Sequence, residues 1–312
     1  MKKQKLWIDT DIGADVDDAI ALSLAVHSPQ IELIGVTTVY KNTEERARVT
    51  KKLFSYSETD VPVIAGSAHA LLAKEEPFAH CLMYGPELED ARFTPDNRAG
   101  DAFSGEEAVN AILRAVEQYG SELVLLAIGP MTNVARAIQK APSVMAQIGK
   151  IVIMGGSHFA LEQPEWNIYC DPEAAKIVYE AGLPLWCVGV DVTRRTKLPQ
   201  DVLDAILNLH EDSERGYLAD FVRAWVNKRH VGVTLHDPLA LYAILVPEWL
   251  IFQKQRIFVE TKGEVTRGFT VNMDLSGRYS PKEKGKEVYV AADARADEVI
   301  RHCMQTVFGI ET

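Results

Sequence analysis

Short apolar runs at residues 6–8, 31–40, 61–65, 123–128, 151–154 and 185–190 alternate with amphipathic stretches. Runs this short, rich in Val, Ile and Leu and bounded by turn residues, read as strands buried on both faces. Helical signals fill the gaps. Residues 43–56 are amphipathic, Ser104 with Glu107 reads as a capping box, and a further helix follows Asn133. Asp171-Pro172-Glu173 opens another, with an acid at the cap and Pro at the first helical position. Strand–helix alternation restricts the chain to the α/β class, with a mostly parallel central sheet covered by helices on both faces. Further helices are expected near 199–209, 212–229, 237–246 and 294–308, and later strands at 255–261 and 287–291. Residues 67–103 have little periodicity and read as irregular chain over the mouth of the sheet. No repeat or long linker interrupts residues 1–312, which read as one domain with insertions.

A net charge of −11 argues against a nucleic-acid or anionic-membrane partner. No apolar run approaches the roughly 20 residues that span a bilayer. The charged start, Met1 to Lys5, leads into a strand and not into a signal-peptide core. Cys81, Cys170, Cys187 and Cys303 are scattered without a CxxC pair and read as reduced thiols of a cytoplasmic protein.

Chemistry concentrates where the first strand ends. Five carboxylates, Asp9, Asp11, Asp15, Asp17 and Asp18, stand within ten residues, just before a helix that begins at Ala19. One or two acids there are explained by helix capping and the helix dipole. Five in close order repel, and raise each other's pKa, unless protons or a cation neutralise them. A hard divalent cation with oxygen ligands, Ca²⁺ or Mg²⁺, meets that need. Other polar groups also follow strand ends: Asn42, the Ile128-Gly129 carbonyls, Glu165-Trp166-Asn167 after Met154, and His236-Asp237 before a helix. Each alone is read more simply as a turn or cap. In an open α/β sheet they would meet at one edge, where ligands bind.

The joint pattern resembles the inosine-uridine-preferring nucleoside hydrolase family. It is carried in order by DTDIGADVDDA (9–19), VTTVYKN (36–42), AIGPMTN (127–133), IMGG (153–156), EWNIYCDPEAA (165–175), LHDPLA (235–240) and TRG (266–268). The resemblance implies a Rossmann-like α/β fold and Ca²⁺-dependent hydrolysis of the N-glycosidic bond of ribonucleosides. It implies metal ligands at Asp11, Asp18, Asp237 and the Ile128 carbonyl, with Asp11 also activating a metal-bound water. Asp17, Asn42, Met154, Glu165, Trp166 and Asn167 would surround the ribose, and His236 would protonate the leaving base, a task suited to a near-neutral pKa. A role in nucleoside salvage and a homodimer or homotetramer are further expectations.

This chain departs from the family at two places. The spacer from Ile12 to Val16, between Asp11 and the Asp17-Asp18 pair, is longer than usual, so Asp15 is an alternative for one of those roles. A loop that usually carries a histidine reads MYGPE (83–87), with Tyr84 nearest. Base contacts are otherwise sought at Trp225 and His230. Tyr217, Phe221 and Trp225 recur at helical spacing, and such a stripe more often packs a core. His158 and Phe159 also lie close in sequence to the expected pocket. Two rival classes share features of this pattern: a haloacid dehalogenase-type phosphatase, which also places Asp-x-Asp after its first strand, and a non-catalytic nucleoside- or ribose-binding protein.

Overall fold

Residues 2–72, 105–160, 163–275 and 284–311 are described by the structure, a computed structural model. The first half alternates as its sequence predicts. β1 (Gln4–Thr10), α1 (Asp17–His27), β2 (Ile31–Thr38), α2 (Thr43–Tyr56) and β3 (Val63–Ala65) are followed by α3 (Glu106–Tyr119) and β4 (Leu123–Ala127). Next come α4 (Thr132–Lys140), α5 (Pro142–Met145), β5 (Lys150–Met154), α6 (Trp166–Cys170), α7 (Pro172–Glu180) and β6 (Leu185–Val188). The second half runs α8 (Val190–Thr193), α9 (Gln200–Leu207), α10 (Glu214–Arg229), α11 (His236–Leu245), β7 (Leu250–Val259), β8 (Thr270–Asn272), β9 (Lys286–Ala294) and α12 (Ala296–Phe308).

Among the described residues, nine strands form one sheet in the order β3-β2-β1-β4-β5-β6-β9-β7-β8. Pairing is parallel from β3 through β9, while β7 runs antiparallel to both β9 and β8. The order reverses between β1 and β4, and that switch point opens a crevice at the carboxyl ends of the strands. Side chains alternate across β1: Leu6 and Ile8 enter the core under α1, α10, α11 and α12, and Trp7 enters the core under α3, α4 and α7. Every residue of α1 from Asp17 to Ala25 is buried, as is every residue of α11 from Asp237 to Ala243. Helices apolar all round belong inside a protein. These two pack against each other, and both carry acids in their first turn.

Some elements were missed or shifted. β8 has three residues, and β7 exposes Gln253 and Lys254, so neither shows the continuous apolar run of the parallel strands. α6 and α8 are single turns too short for a periodic signal. The α3 N-cap is Gly105, in left-handed conformation, in place of the expected Ser104, which lies outside the described residues. Asp171 caps α7 through Ala174 N with Pro172 behind it, as the sequence predicts. Cys170, Cys187 and Cys303 are buried free thiols; Cys81 lies outside the described residues.

Candidate active site

β1 delivers Asp9 and then Asp11 to the switch point, and the loop turns through Gly13 (φ 94°) into α1. The Asp17 carboxylate accepts from Asp237 N at 2.9 Å, which joins the first turns of α1 and α11. Oxygens of Asp17, Asp18 and Asp237 all lie within 4.8 Å of one another, and all three residues are buried. Asp18 is further held by the Thr10 hydroxyl. Gly129, after β4, permits the close approach: a Cβ there would stand 2.9 Å from Asp11 N and 3.0 Å from Asp11 Oδ1. Asp11 Oδ2 is buried without a hydrogen-bond partner among the described residues.

Electrostatics make the crowding plain. Asp11 and Asp17 are both pushed up to about 6, by burial first; for Asp11 the charge of Asp17 adds to this, while Arg46 opposes it. Asp18 is raised well above the carboxylate range by burial, then by Asp11 and Asp17. Asp237 is raised by burial and then by the charges of Asp17, Asp18, Asp11 and Asp15. Half-buried Asp15 is raised by burial and by Asp17, with Arg229 opposing. The charges of Asp11, Asp15, Asp17 and Asp18 all act on Asp237, so the acids crowd one point. An all-oxygen set with an orphaned carboxylate oxygen fits a hard divalent ion. Asp9 belongs to a different arrangement. Its Oδ1 accepts from Thr37 Oγ1 at 2.6 Å and Asn133 Nδ2 at 2.8 Å, and burial raises it to about 7.

Two features at the end of β2 escaped the sequence reading. Tyr40 and Lys41 both adopt left-handed backbone, with φ of 68° and 59°, a conformation that costs non-glycine residues energy. They hand the chain to Asn42, whose Oδ1 is buried without a partner among the described residues. Fully buried Arg46 reaches back from α2 to the carbonyls of Tyr40, Asp11 and Ile12 and so clamps the acidic loop. Only its position on α2, facing the acidic loop, could have signalled this.

The β5 side is built by caps. Glu165 accepts from Asn167 N at 2.9 Å, Gly156 N at 3.1 Å and Ile168 N at 3.2 Å, and burial raises its pKa to about 7. Asn167 Nδ2 spans the carbonyls of Ile128 and Met154 at 3.1 Å each, which brings the ends of β4 and β5 to one side chain. Trp166, between them, is 40 % exposed. The Asp191 carboxylate accepts from His158 N at 2.6 Å and Phe159 N at 3.2 Å, fixing the loop after Gly156. His158 is buried, with Nε2 2.8 Å from the Tyr179 hydroxyl, and Phe159 is exposed.

His236 is the first residue of α11 and is half-buried. Its Nδ1 lies 2.6 Å from Thr193 Oγ1. Burial, with Arg194 as a second cause, pushes its pKa down to about 4, below the near-neutral value the sequence suggests. Trp225 is buried in the core with its indole N–H on the Gly232 carbonyl and the Arg229 guanidinium over its ring. Tyr217 and Phe221 pack edge to face in the same core, so the aromatic stripe is core packing. His230 is the exposed left-handed C-cap of α10. Tyr84 lies outside the described residues.

The profile of a family described as inosine-uridine preferring nucleoside hydrolase matches residues 6–301. Uridine nucleosidase 1 of Arabidopsis thaliana is 34 % identical over 273 residues, covering 84 % of this chain and 80 % of the relative. Pyrimidine-specific ribonucleoside hydrolase RihA of Escherichia coli O9:H4 (strain HS) is 30 % identical over 294 residues, covering 85 % and 87 %. Among solved structures, a purine-preferring ribonucleoside hydrolase from Gardnerella vaginalis superposes with a TM-score of 0.73 at 29 % identity, covering 98 % of each chain. The plant nucleoside hydrolase PpNRh1 shares the fold, with a TM-score of 0.81 at 23 % identity over 98 % of this chain and 99 % of that one.

Proposed function

This chain belongs to the inosine-uridine preferring nucleoside hydrolase family of N-glycosyl hydrolases, and from that premise we propose that it cleaves ribonucleosides to ribose and free base with Ca²⁺. The observation that carries the metal dependence is the group formed by Asp17, Asp18 and Asp237, within 4.8 Å of one another, with Asp237 pressed by the charges of Asp17, Asp18, Asp11 and Asp15. Asp11, Asp18, Asp237 and the Ile128 carbonyl would hold the ion, with Asp17 or Asp15 able to share. When bound, such an ion polarises water so that a nucleophile is available at neutral pH.

The chain's own residues supply the rest. Asp11, with one oxygen unpartnered among the described residues, takes the proton of the attacking water. Asn42, Glu165 and Asn167, with Asp17, hold the ribose hydroxyls and orient C1′ towards that water. The surrounding carboxylates favour the positive charge that develops on the sugar. As the C1′–N bond breaks, its electron pair leaves with the base, and the neutral His236 ring hydrogen-bonds from Nε2 to the leaving atom, polarising the departing base as a neutral imidazole can. The base takes its proton from solvent, and Asp11 returns to solvent the proton it took from the attacking water. Trp166, exposed between two of the ribose residues, would pack against the substrate.

Incubation of the Ca²⁺-loaded protein with uridine, inosine, cytidine and adenosine tests this reading. Equimolar ribose and free base from at least one of them is expected, with loss of turnover on chelation. Nucleosides recovered intact, or phosphate release from phosphomonoesters alone, would refute it.

A further inference from the structure

We propose that Thr193 is a positioning residue for base departure: its buried hydroxyl donates to His236 Nδ1, which places the ring proton on Nε2, the nitrogen that meets the leaving base. The inference rests on the proposed role of His236 and adds the group that prepares it. Thr193 is fully buried, and its hydroxyl has no hydrogen bond among the described residues except that to Nδ1 at 2.6 Å. A hydroxyl can donate or accept, and neutral imidazole has one nitrogen of each kind. If Nδ1 carried the proton, the threonine O–H would be left buried without an acceptor, which is costly. The opposite assignment satisfies both groups. Nε2 has no partner among the described residues, yet it is not one of the sealed side-chain atoms, so it stays open for a ligand.

The backbone around Thr193 fixes the ring's position as well as its tautomer. Thr196 Oγ1 stands 2.8 Å from the Thr193 carbonyl and 3.0 Å from the Leu235 carbonyl, and Leu235 N donates to Thr196 O at 3.1 Å. Lys197 bridges Thr234, and Leu198 N donates to Val233 O at 2.9 Å. The strip from Thr193 to Leu198 is thus zipped to the strip that ends at His236. Asp191, on the same turn, holds the loop beside Glu165. One short segment after β6 therefore registers the base-side donor against the sugar-side residues.

The test compares Thr193→Val, Thr193→Ser and His236→Ala on inosine or uridine and on p-nitrophenyl riboside, whose leaving group needs no proton. Thr193→Val is expected to lower kcat on the nucleoside by about 10- to 100-fold, as loss of a supporting hydrogen bond at a site does. The loss on p-nitrophenyl riboside should be far smaller, and Thr193→Ser should recover most of the nucleoside rate. Adding Thr193→Val to His236→Ala should cost little more. Equal losses on both substrates, or full additivity in the double variant, would overturn the positioning role. If His236→Ala itself shows no preference for the nucleoside, the reading of His236 fails first, and the two failures are told apart. Should Thr193→Val fold poorly, ¹⁵N shifts of the His236 ring in the unaltered protein decide: a proton on Nε2 supports the inference, and one on Nδ1 overturns it.

Discussion

Two groups of buried acids sit a few residues from the same strand ends, and they are satisfied in opposite ways. Glu165 and Asp171 are each surrounded by donors: three backbone N–H groups for Glu165, and Leu71 N, Ala174 N and the Thr132 hydroxyl for Asp171. Asp11, Asp18 and Asp237 lie as deep, but much of what surrounds them is like charge. Burial alone therefore does not distinguish a ligand site from a helix cap. The balance of donors against carboxylate oxygens does: donors lower the cost of a buried charge that burial raises, as at Glu165, whereas neighbouring carboxylates add to it. The first group builds the walls, whereas Asp18 and Asp237 of the second, together with Asp17, form a cluster that could hold a metal ion.

The sharpest break between the groups is in activity. Asp11→Ala should lower kcat by about 10³-fold, the scale of a lost general base, with the fold intact by circular dichroism. Near-normal turnover would remove Asp11 from the chemistry. A smaller effect separates the groups in their response to acid. His158 lies in the donor-rich region, beside Asp191, and burial pushes it down to about 4 from 6.5. Above pH 6.5 it is neutral in both folded and unfolded chains. Between 6.5 and 4 only the unfolded chain takes up the proton, so stability is lost as pH is lowered through this range, by up to about 3 kcal/mol. Denaturant titrations across this range should show a shallower decline for His158→Gln than for the unaltered protein; equal slopes would exclude His158 as a source.

Removing a cap should be smaller still. Asp171→Ala should cost about 1–2 kcal/mol, read as a lower denaturation midpoint, while the shift on adding Ca²⁺ stays the same. The least effect, and the most telling in sign, is expected for Asp237→Asn without metal. Relief of repulsion should stabilise the metal-free protein by about 1 kcal/mol while activity is lost. Destabilisation there would mean that Asp237 is held by donors, like Glu165, and would erase the distinction.

The parallel strands β1, β2, β4, β5 and β6 were legible because each is a short, mostly apolar run, and most connections between them carry a periodic helix. The acids of residues 9–18 and His236-Asp237 were legible because they fall at strand and helix ends. What stayed hidden depends on partners distant in sequence. Arg46 and Thr193 look like ordinary surface-helix and turn residues until Asp11 and His236 are placed beside them. The downward shift of His236 needed the burial of the first turn of α11 and the nearby Arg194, neither of which has a local signature. The edge strands β7 and β8 were blurred or missed because one exposes polar residues along its length and the other is three residues long.

Equilibrium binding of Ca²⁺ by calorimetry, for the unaltered protein, Asp18→Asn and Asp237→Asn, reaches the centre of this account. One ion bound per chain, with binding lost in both variants and retained in Asp171→Asn, is the predicted result. No binding by the unaltered protein, or undiminished binding after loss of Asp237, would contradict it.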